Sequence, residues 1–173
     1  MGVIANDGTL MKPYIISKIE DQAGIILKEN KPQVRRQVIR EDVARTMRHI
    51  LQRVVEEGTG KSAKISGIPV GGKTGTAQKV LSNGRGYSHN SFMSSFVGFA
   101  PVDDPRLVMT VVLDDPKPRY YGGTVAAPVF KEVIEASLFY LGYVPESAAV
   151  LGGQDLPENP PTLLPAQGVA QRI

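Results

Sequence analysis

The chain has 173 residues, 42% hydrophobic and 21% charged, with a formal net charge of +3; this is enough for one domain with its own core. It has no cysteine and two histidines, His49 and His89, which excludes disulfide frameworks, cysteine-based zinc sites, a thiol nucleophile and a His-rich metal centre. Aromatic residues make up 6%, tryptophan is absent and the charge is small, so no nucleic-acid partner is expected. No run of about 18 apolar residues occurs and no charged-then-apolar leader opens the chain, an absence that does not bear on a longer parent.

Residues 1–11 read as the tail of a helix that stops at Asn6-Asp7-Gly8, a strong breaker. One turn of helix does not stand alone, so the chain is expected to begin inside an element. A hairpin follows, with Tyr14–Ile19 and Ile25–Leu27 flanking the turn Asp21-Gln22-Ala23-Gly24. Residues 33–39 add an extended segment. Val43, Met47, Ile50, Leu51, Val54 and Val55 recur at helical spacing before Gly58, which predicts an amphipathic helix over 41–57. The Gly-rich loop Gly58-Thr59-Gly60-Lys61 reads as a linker.

Three strands are expected at about 70–79, 91–100 and 106–114. The last is a continuous apolar run from Arg106 to Leu113, a pattern typical of a strand buried on both faces. A second helix carries the stripe Phe130, Val133, Ile134, Leu138 and Leu141 and closes at Gly142. Thr124 is its expected N-cap, with Pro128 tolerated only in the first turn. From Pro145 the composition turns to Pro, Gly, Gln and Ser without periodicity, so 145–173 is expected to be a tail or linker beside a domain over 1–144. The order β-β-α-β-β-β-α predicts an α+β fold, an antiparallel sheet flanked by helices.

The motif with most chemical content is Gly71-Gly72-Lys73-Thr74-Gly75-Thr76-Ala77. K-T-G belongs, with S-x-x-K and S-x-N, to the signature of β-lactamases and penicillin-binding proteins. As a bare tripeptide it is weak, and a solvated lysine on a surface strand is the bland explanation. Its context raises its weight, because it opens a predicted strand after paired glycines. Lys73 would place a positive charge near a nucleophile and an anionic substrate group. Thr74 and Thr76 offer hydroxyls to a carboxylate. Gly75 lets a ligand approach the backbone. An open strand edge can pair with an extended peptide, and the Thr76 N–H can face an oxyanion.

Around this motif, Phe96-Val97-Gly98-Phe99-Ala100-Pro101, Asp104-Pro105-Arg106, Tyr120-Tyr121-Gly122-Gly123 and Ala127-Pro128-Val129-Phe130 follow in order. Leu10-Met11-Lys12-Pro13-Tyr14 and Gly58-Thr59-Gly60 precede it. Together they resemble class B penicillin-binding proteins, the division-specific branch most of all, over residues 1 to roughly 144. The resemblance implies a serine D,D-transpeptidase of peptidoglycan that β-lactams acylate. It puts Lys73 in the catalytic site and Thr74, Gly75 and Thr76 on the substrate-binding strand. Phe92, Tyr120 and Tyr121 fall where the family has aromatic cleft walls; ordinary packing is the alternative for each. The implied partners are the peptidoglycan stem peptide and β-lactams, the N-terminal half of the domain, and division proteins. No cofactor and no metal are expected. The implied location is the extracytoplasmic face of the bacterial membrane, through an anchor outside this chain.

One departure is chemical: no serine here is followed three residues later by lysine. The S-x-x-K and S-x-N segments are expected to precede Met1 in a longer parent, so this chain alone should not catalyse. Ser88-His89-Asn90 spells S-x-N but follows Lys73 and reads as coincidence in a hairpin loop. Gly58–Ser62 imitates a phosphate loop, but Val55 stands where that motif needs glycine. The arginines at 35, 36, 40, 45, 48 and 53 are expected on a solvated surface, and Asp103-Asp104 and Asp114-Asp115 in strand-end turns. The alternatives are a noncatalytic interaction module and, more weakly, a β-lactam sensor or β-lactamase. If the domain is incomplete, an apolar surface should mark where its other half docks.

Overall fold

The computed structural model describes residues 1–81 and 84–143. Helix α1 (Gly2–Ala5) leads into strand β1 (Thr9–Met11), followed by β2 (Lys18–Glu20), β3 (Ile26–Glu29), β4 (Val34–Gln37) and helix α2 (Glu41–Glu56). Strands β5 (Gly71–Val80), β6 (Tyr87–Ala100) and β7 (Leu107–Asp114) precede helix α3 (Gly122–Tyr140). All strand pairs are antiparallel, so the expected α+β class holds. The expected tail from Pro145 lies outside the described residues.

The strands do not merge into one sheet. The order β5-β6-β7 forms the main sheet, while β1 pairs with β4 and β2 with β3 in separate two-stranded ribbons. Residues 1–11 are therefore more than a helix tail: the chain turns through Asp7 (φ 48) and Gly8 (φ 85), and Thr9 lands opposite Gln37. The β2–β3 hairpin is shorter than expected. Its turn closes on Asp21, whose carboxylate accepts from the backbone N–H of Ala23 and Ile25 at 2.9 Å, and Gly24 takes the positive φ.

Helix α2 begins and ends as expected, with Glu41 and Asp42 in its first turn and Arg53 in its last, matching the helix dipole. Its buried stripe is rotated, however: Ala44, Arg48, Leu51 and Val55 are buried, whereas Val43 and Ile50 are exposed. Arg48 can turn inward because its guanidinium donates to the Asp7 carboxylate at 2.5 Å, which offsets the cost of burying a charge.

Two clusters form the core on opposite faces of the main sheet. Cross-strand register puts Thr74, Thr76, Phe96 and Val111 on one face and Lys73, Gly75, Val97 and Thr110 on the other. Helix α3 covers the first through Phe130, Ile134 and Leu138, with the Phe96 and Phe130 rings 4.8 Å apart. Phe99 packs on the second side with Ala5, Leu51 and Val102. The paired glycines make room for both rings: a Cβ on Gly71 would meet Phe99 at 2.5 Å, and one on Gly72 would meet Phe96 at 2.4 Å.

Strand β7 is not buried on both faces. Its residues alternate, and Val108 and Val112 are about half exposed on the Lys73 face. The apolar run reads as a central strand, but among the described residues nothing covers that face beyond the Phe99 cluster. Helix α3 also starts earlier than expected. Tyr121 is the N-cap, Thr124 lies inside the first turn, and Pro128 sits within the helix. Gly122 and Gly123 at this start approach neighbouring backbone closely, as described below. Within α3, Phe130, Ile134 and Leu138 are buried, while Val133 and Leu141 are exposed.

Candidate functional site

Strand β5 lies at one edge of the main sheet, hydrogen-bonded to β6 alone. From Lys73 to Gln78 this edge is exposed or partly exposed. The Lys73 side chain starts on the open face and folds round the strand. Its Nζ donates to the Thr74 carbonyl at 3.0 Å and to Thr74 Oγ1 at 3.3 Å. A Thr74 carbonyl within reach of that ammonium points away from β6, and antiparallel alternation sends the Thr76 N–H and C=O the same way. Among the described residues Lys73 has no carboxylate partner, leaving its charge available to an incoming anion.

The two threonine hydroxyls are positioned by elements distant in sequence. Thr74 Oγ1 lies 2.9 Å from Thr59 Oγ1, so the loop after α2 rests against β5. Thr76 Oγ1 accepts the backbone N–H of Gly122, the first residue of α3, at 3.1 Å. That leaves the Thr76 O–H free to donate outward. Both contacts need glycine at the helix start. A Cβ on Gly122 would meet the carbonyl oxygens of Ser95 and Gly75 at 2.3 and 2.5 Å, and one on Gly123 would meet the Thr59 carbonyl at 2.4 Å.

An aromatic wall adjoins this edge. Phe92, opposite Gln78 in the β5–β6 register, stacks face to face on Tyr120 with centroids 4.0 Å apart and planes 9° apart. Tyr121 tilts against Tyr120 at 4.6 Å. The two phenol oxygens are 3.5 Å apart, and the Tyr121 hydroxyl holds the Tyr120 phenol above its ordinary range. The buried Ser94 hydroxyl donates to the Tyr120 carbonyl.

At the other end of the β7–α3 loop, Lys79 pairs with Asp114 at 2.6 Å. The Asp114 hydrogen bond raises the lysine's pKa above its usual value. Lys117 pairs with Asp115 at 3.0 Å and, through its hydrogen bond, holds that carboxyl below the usual range. Among the described residues no three His, Asp or Glu side chains gather as a metal ion would require.

Lys73, Thr74, Gly75 and Thr76 thus share one strand edge, and Phe92, Tyr120 and Tyr121 share one wall, joined through the Thr76–Gly122 bond. Sequence reasoning passed over Thr59, Ser94 and Asp115. Thr59 lies within the Gly58-Thr59-Gly60 segment, and Asp115 carries only a turn signal. Ser94 carries no local signal. Ser88-His89-Asn90 is part of strand β6, not of a loop; the Ser88 hydroxyl accepts the N–H groups of Asn90 and Ser91 at 3.2 and 3.0 Å.

This geometry has relatives. The family model described as the penicillin binding protein transpeptidase domain matches residues 1–135. Stage V sporulation protein D of Bacillus subtilis is 46% identical over 142 residues, covering 81% of this chain and 22% of that protein. A probable peptidoglycan D,D-transpeptidase PenA of Neisseria flavescens is 45% identical, covering 64% of this chain and 28% of that one. The crystal structure of penicillin binding protein 3 of Mycobacterium tuberculosis complexed with aztreonam superposes with a TM-score of 0.73 at 32% identity, over 83% of this chain and 34% of that one. The chain therefore spans about a quarter of the length of these curated relatives. With the family model covering most of its residues, the chain belongs to the penicillin-binding protein transpeptidase domain family.

Proposed function

We propose that this chain supplies the substrate-binding half of a serine acyl-transfer site in a peptidoglycan D,D-transpeptidase. The observation that carries this is the unpaired edge of β5, where the Lys73 ammonium folds over Thr74 beside the wall of Tyr120 and Phe92. A stem peptide or β-lactam laid along that edge would pair with its free backbone groups. The Thr76 N–H would face the developing oxyanion, a term that preorganised donors supply without reorganisation. Its hydroxyl, with that of Thr74, would receive the ligand carboxylate, drawn in by Lys73. Gly75 keeps the strand bare at that point, and Tyr121 extends the wall.

The nucleophile must come from outside this chain, which has no S-x-x-K. The half-exposed Val108 and Val112, on the same face as Lys73, suit the docking of that second half. A parent of this kind would work outside the cytoplasmic membrane, in the division setting that the sequence resemblance implies, and the name of the Bacillus subtilis relative adds sporulation as a second setting. The lack of S-x-x-K equally suits a noncatalytic interaction module, and one experiment separates the two.

Fluorescent penicillin is added to the chain and to the longer protein that carries it, and adducts are read by intact mass. Adduct on the longer protein alone, abolished or cut at least tenfold by Lys73→Ala (about 1.4 kcal/mol), is the expected result. Unimpaired labelling of the Lys73→Ala protein refutes the role of Lys73. Absence of labelling in the unmodified longer protein supports the noncatalytic module.

A further inference from the structure

Segment 115–121, between β7 and α3, carries Tyr120 and Tyr121 and holds no buried residue. It is tied to β6 at both ends. At the α3 end the tie is the Ser94 hydroxyl on the Tyr120 carbonyl. At the β7 end it is Asp115. Its backbone N–H donates to the Phe92 carbonyl at 2.8 Å, and its carboxylate accepts the Phe92 N–H at 3.3 Å and the Ser91 hydroxyl at 3.4 Å. Lys117 closes the ring of contacts, 3.0 Å from the Asp115 carboxylate and 2.5 Å from the Asn90 carbonyl. Asp115 adopts φ 50, a conformation rare outside glycine but tolerated by Asp and Asn. Backbone, carboxylate and ammonium thus all grip residues 90–92, the stretch that presents the Phe92 ring.

We infer that Asp115, assisted by Lys117, is a positioning residue: it locks the start of the loop to strand β6 so that Tyr120 lies flat on Phe92 and the wall stands at a set distance from the β5 edge. The inference deepens the proposed function and rests on it, in that the wall would receive the side group of a peptide or β-lactam. Asp115 touches no ligand in this scheme. Its effect passes through two rings, so it should alter ligands that bear a bulky side group and spare those that bear none. Lys117 contributes through the carboxylate and the Asn90 carbonyl, so its loss should act in the same direction and less strongly.

The test has two readouts. The first is the ring-to-ring nuclear Overhauser contact between Phe92 and Tyr120 in the isotope-labelled full chain, with the Phe96–Phe130 contact as a core control. Asp115→Ala is expected to abolish the first contact and keep the second, with Lys117→Ala weakening it partially. A Phe92–Tyr120 contact that survives intact in Asp115→Ala overturns the inference. The second readout is the acylation rate of the longer protein that carries this chain. Asp115→Ala is expected to slow benzylpenicillin about tenfold, the scale of one lost charge-assisted hydrogen bond. The side-chain-free penicillin nucleus should change by about twofold or less. Equal slowing of both probes overturns the inference, because it signals general damage to the site. If the unmodified longer protein accepts neither probe, the proposed function falls, and the ring contact alone decides the role of Asp115.

Discussion

Gly122→Ala is the substitution that most directly probes how α3, β5 and β6 meet. The added methyl carbon would sit 2.3 Å from the Ser95 carbonyl oxygen and 2.5 Å from that of Gly75. Both are backbone atoms in the middle of paired strands, so neither can swing aside as a side chain would. Restoring an ordinary contact requires the helix start to retreat by about 1 Å. The Gly122 N–H to Thr76 hydroxyl bond, now 3.1 Å, would stretch to about 4 Å, beyond hydrogen-bond range. Overpacking of this kind costs about 1–3 kcal/mol and the lost bond about 1 kcal/mol. The better helix propensity of alanine returns little at the first helical position. A net loss of about 2–3 kcal/mol follows, lowering the melting temperature by about 5–10 °C for a chain of this size. Urea denaturation and thermal scans on the chain measure it. Gly2→Ala, at a glycine with nothing within 4 Å, is the control and should stay within about 0.5 kcal/mol. A Gly122→Ala chain as stable as that control would refute the claim that backbone proximity, rather than chance, puts glycine there.

Phe96→Ala removes a ring with no exposed surface that packs against Phe130 and should cost about 3–5 kcal/mol in denaturant titration, a large share of the roughly 5–15 kcal/mol that holds an ordinary domain together. Asp7→Asn retains a residue that tolerates the positive φ at position 7 but leaves the buried Arg48 guanidinium facing a neutral amide. The loss should be about 1–3 kcal/mol, and a change smaller than about 0.5 kcal/mol would mean that Arg48 is solvated well enough without its partner. The Asp115 carboxyl is held below its ordinary pKa, first by Lys117 and also by the Phe92 N–H and the Ser91 hydroxyl. A depressed carboxyl stabilises the fold above its unfolded pKa, and that stabilisation disappears as pH falls through the folded value. The Phe92–Tyr120 contact should therefore be constant from pH 7 to about 4 and weaken only below that; weakening already near pH 6 would point to another titrating group.

What the residue order determined was local. The helical spacing of residues 41–57, the turn at Asp21–Gly24 and the strand opened by Gly71-Gly72-Lys73-Thr74-Gly75-Thr76 depend on neighbours a few positions away, and the α+β class follows from their order. The paired glycines before Lys73 are visible in the sequence, but that they make room for the Phe99 and Phe96 rings appears only in the fold. Tertiary structure decided everything that depends on distant partners. Arg48 faces inward because Asp7 waits for its charge, which rotates the buried stripe of α2 away from Val43 and Ile50. The apolar run of β7 suggests a strand covered on both sides, but burial is a property of what packs on a face, and Val108 and Val112 have no cover among the described residues. Helix α3 starts at Gly122 rather than near Thr124, and the carbonyls of Gly75 and Ser95 lie where a Cβ at that start would go. Asp115 looks like any strand-end aspartate until the fold brings Ser91, Phe92 and Lys117 to its carboxylate. Periodicity is written along the chain, whereas close approach and burial arise only when segments far apart in sequence are pressed together.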